Sequence, residues 1–243
     1  MIDNETSMGG LLGGRISYRQ FRAGHRNGFE PVLMAALVPA KAGELVLEAG
    51  TGAGAALLCL AARVPGVRGI GVENNAALAG LAAQNFAENG FMDIRAVNGD
   101  ATALPFPAHT FQHVTANPPW FGTHNTPSPD AARALAHHAP QGTLAAWVVE
   151  LLRMLRDKGT ITLALPAATY AEAVSLLRLY CGGITLLPLW PRVGVKAKMI
   201  LVQAQKGSRR PDSVLPGLVL HDESGITQEA ERVLREGAAL AGG

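Results

Sequence analysis

Four consecutive residues, Asn117-Pro118-Pro119-Trp120, combine what is needed to hold a planar amine. Two successive prolines fix φ at both positions and keep the preceding backbone out of the helical region. The chain must therefore leave the preceding strand stiffly, with the Asn117 side-chain oxygen and the Pro118 carbonyl able to face one cavity. Both oxygens are acceptors, and a planar –NH2 group offers two donors. Holding both hydrogens draws the nitrogen out of conjugation and aims its lone pair at an electrophile. Trp120 supplies a ring that can stack on the flat group carrying the amine. Taken alone, such a tetrapeptide also describes a rigid turn with an exposed Trp. Its weight comes from what precedes it.

What precedes it is a glycine loop, Glu48-Ala49-Gly50-Thr51-Gly52-Ala53-Gly54, which follows a strand and opens a helix. Glycines at such a place turn the backbone and let it approach a ligand closely. Glu73 ends the next strand, followed by Asn74, and its carboxylate can accept hydrogen bonds from two ribose hydroxyls. Asp100 follows a third strand, where it can take an adenine amino group while the Ala101 N–H meets a ring nitrogen; the alternative is an Asx-turn. Gly50, Gly52 and Ala55 satisfy the relaxed dinucleotide fingerprint, so an NAD-binding module is one reading. Two details favour S-adenosylmethionine. Glu48 stands two residues before the first glycine, where it can pair with a cationic amino group. The glycines also alternate, and this cofactor has no diphosphate to cradle. A sulfonium donor leaves readily, so alignment and hydrogen bonding matter more than a strong base.

The elements that must position these residues alternate between short β-branched runs and Ala/Leu-rich helical stretches, an α/β pattern with a parallel sheet. Strands are expected at 44–48, 67–73, 94–97, 111–116 and 160–165. Helices are expected at 55–63, 76–88, 143–156 and 169–180, with Asn75 as a cap and Gly90 and Gly159 as exits. Residues 184–190 and 198–205 are both strand-like, and the loop between them is too short for a parallel crossover, so they pair antiparallel. The N-terminal residues 1–14 and the stretch 207–216 are expected to be flexible, and 227–240 to form an amphipathic helix packed on the body.

Hydrophobic residues make up 48% and charged residues 16% of the 243, with mean hydropathy +0.17, which excludes a disordered chain. No apolar run is long enough for a membrane helix. Cys59 and Cys181 stand in apolar surroundings, as reduced core residues of a cytoplasmic protein would. His109, His113, His137 and His138 make no zinc pattern, so no metal is expected. The net charge of +2 neither demands nor excludes nucleic acid.

The glycine loop, Glu73, Asp100 and Asn-Pro-Pro-Trp together resemble the class I S-adenosylmethionine-dependent methyltransferases that act on amino groups, at adenine N6 or glutamine N5. Leu12-Gly-Gly-Arg15 and Gly24-His-Arg26-Asn-Gly28-Phe29-Glu30-Pro-Val-Leu33 are similar to the N-terminal signature of the bacterial tRNA(Val) adenine-37 N6-methyltransferase group. The resemblance implies a Rossmann-like sheet of seven strands, mostly parallel with the last reversed, and helices on both faces. It implies a methyltransferase domain at 15–206 whose segment 15–43 closes the cofactor pocket, and a C-terminal extension at 207–243. It also implies that Arg26, Gly28, Phe29 and Glu30 lie beside S-adenosylmethionine, that Glu48, Ala49, Gly50, Thr51, Gly52, Gly54, Glu73, Asn74, Asp100, Ala101 and Asn117 hold it, and that Asn117, Pro118, Pro119 and Trp120 hold the target amine. The sequence departs from relatives with Glu at 30 and at 48, and Gln at 112, where Asp is common. Arg15, Arg19, Arg22, Arg192, Lys196 and Lys198, with Lys206, Arg209 and Arg210 beyond, can form a basic rim for tRNA phosphates. Transfer to a protein glutamine is the competing activity. Enzymes of that type usually carry a substantial helical domain before the glycine loop, and only 47 residues precede Glu48 here.

Overall fold

Near the N-terminus Gly13, with φ 67°, turns the chain back on itself in the left-handed region that suits glycine. The structure, a computed structural model, describes residues 5–23, 28–119 and 143–240. In it Thr6–Leu11 (β1) and Ile16–Phe21 (β2) form an antiparallel hairpin, with Thr6 opposite Phe21. From Thr6 onward the expected flexible lead-in is thus an ordered strand. Burial explains it, since Leu12, Ile16 and Tyr18 are only 2%, 4% and 3% exposed.

Five strands follow in parallel: Leu45–Ala49 (β3), Arg68–Glu73 (β4), Ile94–Asn98 (β5), Phe111–Ala116 (β6) and Leu155–Pro166 (β7). Cys181–Trp190 (β8) and Met199–Lys206 (β9) form the expected antiparallel hairpin. Its return strand does not lie at the edge; β9 inserts between β7 and β8, so β9 alone runs against the others. Ser213–Val214 (β10) and Leu218–Val219 (β11) add in parallel to the outer side of β8. The sheet order is β10-β8-β9-β7-β6-β3-β4-β5, with β11 also on β8, nine strands in all. The stretch 207–216 is therefore not a free connector. It covers the open edge of β8, whose backbone groups would otherwise lack partners: Leu215 N–H donates to the Leu186 carbonyl, and the Asp212 carboxylate accepts from Ile184 N–H.

Helices Glu30–Leu37 (α1), Ala55–Arg63 (α2) and Ala76–Glu88 (α3) share one hydrophobic core with Val46, Leu187 and Leu201 of the sheet. Thr143–Met154 (α4) and Tyr170–Leu177 (α5) build a second core on Leu47, Val114 and Ile161. Burying each of those three side chains completely contributes about 1.5–3 kcal/mol. The Asn75 side chain caps α3 by accepting from Ala77 and Leu78 N–H. Helices α4 and α5 end earlier than expected. Leu155 already belongs to β7, and Gly159 lies inside that strand, where an added Cβ would come within 2.6 Å of the Gln112 carbonyl. After a small hairpin, His221–Asp222 (β12) with Gly225–Ile226 (β13), Gln228–Glu236 (α6) buries Ala230, Val233 and Leu234 against the first core. It stops at Gly237, where φ is 67°, short of the expected Leu240.

Candidate active site

Register brings the chemistry-bearing residues to one sheet edge. Ala49 pairs with Val72 on one side and Ala116 on the other, and Ala116 pairs with Leu163. The glycine loop, Glu73 and Asn117 therefore leave their strands at the same level. In open α/β sheets ligands bind at this end of the strands, where the strand order reverses. Here the reversal falls between β3 and β6.

The loop folds back over β4, with Gly50 and Thr51 N–H both donating to the Val72 carbonyl at 2.8 and 3.0 Å. Its three alternate glycines have different jobs. A Cβ on Gly50 would come within 2.7 Å of the Trp147 ring, and one on Gly54 would run into Phe86. Those two glycines admit packing partners. Only at Gly52, φ 57°, does an added Cβ meet nothing within 4 Å. Its N–H donates to Glu73 Oε2 at 2.9 Å, while Glu73 Oε1 accepts from Asn75 N–H at 3.0 Å. Glu73 is thus oriented beside the one open stretch of the loop, with lone pairs left for hydroxyl donors. Asn98 ties this corner by donating to the Glu73 and Asn74 carbonyls. The Trp147 contact, which anchors the loop to α4, has no signal in the sequence beyond an aromatic in a helix.

Glu48 is buried, and Thr51 Oγ1 donates to its Oε2 at 2.7 Å. Burial, with the nearby Glu73 charge adding to it, pushes the Glu48 carboxyl up to about 8, although hydrogen bonds from Thr51 and the Leu57 N–H oppose the rise. It is a protonated latch on the loop near neutral pH. Asp100 makes the Asx-turn: its Oδ1 accepts from Thr102 N–H and Oγ1, both at 2.8 Å, and these bonds hold its carboxyl below the ordinary range. Oδ2 stays outside the turn, and Ala101 beside it is buried.

Asn117 Oδ1 is buried and has no hydrogen-bond partner, one of few such atoms among the described residues. A buried acceptor without a donor is costly, roughly 1–3 kcal/mol, and a donor brought to Asn117 Oδ1 would relieve that cost. Pro118 is buried and Pro119 half-buried. Trp120 and Arg26 lie outside the described residues. A Cβ on Gly28 would run into the Glu30 carboxylate. Phe29 lies against His221, with ring centroids 6.1 Å apart, at the β8 and β11 end of the edge.

The basic residues divide. Arg15 donates to the Leu12 and Arg235 carbonyls, and Arg19 forms an ion pair with Glu88 at 3.5 Å. Lys206 Nζ donates to the Leu152 and Leu155 carbonyls at the end of α4. These serve the fold. Arg22, Arg192, Lys196 and Lys198 are exposed. Cys59 and Cys181 are buried, and burial pushes their thiols up to about 12 and about 11, so neither supplies a thiolate. Among the described residues no group of three metal-ligating side chains stands together, and no helix is long and apolar enough to cross a membrane.

A family model described as a methyltransferase domain matches residues 46–159. The chain is 27% identical to a tRNA1(Val) (adenine(37)-N6)-methyltransferase of Tolumonas auensis, over 93% of this chain and 91% of that protein. It is 29% identical to one of the same name from Bacteroides thetaiotaomicron, over 62% of this chain and 66% of that protein. A crystal structure of a predicted O-methyltransferase from Agrobacterium tumefaciens superposes with TM-score 0.72 at 23% identity, covering 87% of this chain and 98% of that one. With the sheet order, the open glycine and the acid-ended second strand already in place, the chain carries a methyltransferase domain on a mostly parallel α/β sheet, and these comparisons support S-adenosylmethionine as its cofactor.

Proposed function

We propose that the chain methylates the exocyclic N6 amine of an adenine in tRNA. The observation that carries this reading is the buried, unpartnered Asn117 Oδ1 at the strand-order reversal, next to the glycine loop. The names of the relatives, which specify adenine 37 of tRNA1(Val), support the substrate class.

When bound, S-adenosylmethionine supplies an electrophilic methyl group on sulfur. In this reading Gly52, Glu73, Asn74, Asp100 and Ala101 hold its nucleoside, and Glu48 with Thr51, Ala49, Gly50 and Gly54 shapes the loop beside it. Asn117 Oδ1 and the Pro118 carbonyl accept the two hydrogens of the target amine, so the nitrogen lone pair is released from the ring for in-line attack, and one of the two held hydrogens leaves as a proton to solvent once the nitrogen carries the methyl group. Pro118 and Pro119 keep the two acceptors from relaxing apart. Gly28, Phe29 and Glu30 belong to the segment we assign to closing the cofactor pocket.

The test is nucleoside mass spectrometry of tRNA lacking the modification, before and after incubation with protein and cofactor. N6-methyladenosine is expected. Asn117→Ala should lower turnover by about two orders of magnitude with cofactor affinity nearly intact. Methyl label appearing in protein glutamine and not in RNA overturns the proposal.

A further inference from the structure

The sheet edge beside Asn117 has two unlike halves. On one side are the ends of β3, β4 and β5, with Gly52, Glu73 and Asp100. On the other side are the end of β7, the start of β9 and the end of β8. That second half carries the loop Pro191–Lys198. Arg192, Lys196 and Lys198 are all exposed there, and no acid occurs in the sequence between Cys181 and Lys206. None of the three appears in an ion pair among the described residues, in contrast to Arg19.

The loop is also shaped. Val195 N–H donates to the Arg192 carbonyl, and Gly194 takes φ 75° to allow the turn. Val193 and Val195 are 81% and 43% exposed at its tip, an uncommon state for valine. The Lys198 carbonyl accepts from Ala167 N–H at 2.8 Å, which fastens the loop to the turn before α5. The first residue of α5, Tyr170, is 49% exposed. Cations, apolar tips and an exposed aromatic on one rim are the combination that binds single-stranded nucleic acid: charge follows the backbone and rings take the bases.

We infer that the loop Pro191–Lys198 is the RNA clasp of this enzyme, with Arg192, Lys196 and Lys198 on phosphates and Tyr170 stacking on a base that flanks the target. This rests on the tRNA reading above and deepens it. It assigns RNA to the β7–β9–β8 half of the edge and the cofactor to the β3–β4–β5 half. It also takes Arg15 and Arg19 out of the rim.

The experiment measures binding of an unmodified tRNA transcript by fluorescence anisotropy across a salt series, with cofactor affinity measured in parallel. Arg192→Ala/Lys196→Ala/Lys198→Ala should weaken RNA binding at least tenfold and flatten the slope of log affinity against log salt by about 2, at about 0.7 per single-strand phosphate contact. Tyr170→Ala should weaken binding roughly tenfold without changing the salt slope. Cofactor affinity should stay at the wild-type value in both. If the wild type methylates tRNA while the triple variant keeps wild-type affinity and slope, the clasp is wrong and the tRNA reading survives. If the wild type binds no RNA and labels protein, both fall. Equal loss of binding to anionic vesicles and none to tRNA also overturns the clasp.

Discussion

Glu48 shows how one residue can be both latch and sensor. An acid raised to about 8 in the fold and near 4.5 when unfolded is favoured by folding in its neutral form. Its contribution to stability is complete below about pH 4.5 and is lost as pH rises through about 8. Glu48→Gln keeps a neutral acceptor for Thr51 and removes the titration. Denaturant midpoints of the wild type should therefore fall more between pH 5 and 9 than those of the variant. An ammonium group brought beside Glu48 favours the carboxylate, so cofactor binding near pH 7 should release a proton. Calorimetry in two buffers of different ionisation enthalpy reads this directly. Parallel denaturation curves and no buffer dependence in the wild type would show that Glu48 is neither buried nor protonated as described.

At the scale of elements, the glycine loop rests on two helices the sequence does not connect to it. Trp147 of α4 fills the space a Gly50 side chain would need, and Phe86 of α3 does the same at Gly54. Truncating a buried Trp costs about 3–5 kcal/mol. Trp147→Ala should lower Tm and also weaken cofactor binding, because Gly50 loses its backing. Leu177→Ala, in the same core on α5, should cost stability of a similar order and leave cofactor affinity unchanged. Equal cofactor affinity in both variants would make Trp147 only a core residue. The strands, the two helices flanking the loop and the reversed strand were readable because each follows from local periodicity or a loop too short to cross over. The hairpin β1–β2 and the strands β10 and β11 were not. Their order comes from partners distant in sequence: Asn85 and Asn89 bond the β2 backbone at Arg19 and Ser17, and β8 offers an open edge to residues 213–219. The candidate site was legible as types and spacing, since Gly52, Glu73, Asp100 and Asn117 do meet at one edge. Which glycine is open, and which arginines the fold retains, depends on packing that no spacing encodes.

Across the whole molecule, the edge bearing the site is separate from the edge that anchors the sheet. Away from that edge, His113 of β6 links the residue before β3 to the middle of β7: its Nε2 lies 2.9 Å from Glu44 Oε2 and its Nδ1 lies 2.7 Å from Thr160 Oγ1. Burial depresses the His113 pKa, although the Glu44 hydrogen bond and charge oppose that. Burial alone would raise Glu44, but the bonds from His113 and Lys41 N–H outweigh it and hold the carboxyl below its usual range. At pH 7 the neutral ring donates from Nε2 to the carboxylate and accepts the Thr160 hydroxyl at Nδ1. A depressed folded pKa means that the stabilisation is present above about 6.5 and is lost as pH falls through the folded value; the lowered Glu44 acts in the same sense below 4.5. In a Glu48→Gln background, which removes the opposing titration, denaturation midpoints should drop from pH 7.5 to pH 5, and adding His113→Gln should flatten that drop while lowering the midpoint at pH 7.5. Because the His113–Thr160 pair lies three residues back along β6 and β7 from the Ala116–Leu163 pair at the site edge, cofactor affinity of the folded His113→Gln single variant at pH 7.5 should match the wild type. A variant that keeps the full acid-dependent drop would move the titration away from His113, and one that loses cofactor affinity while folded would show that the two edges are coupled through the sheet.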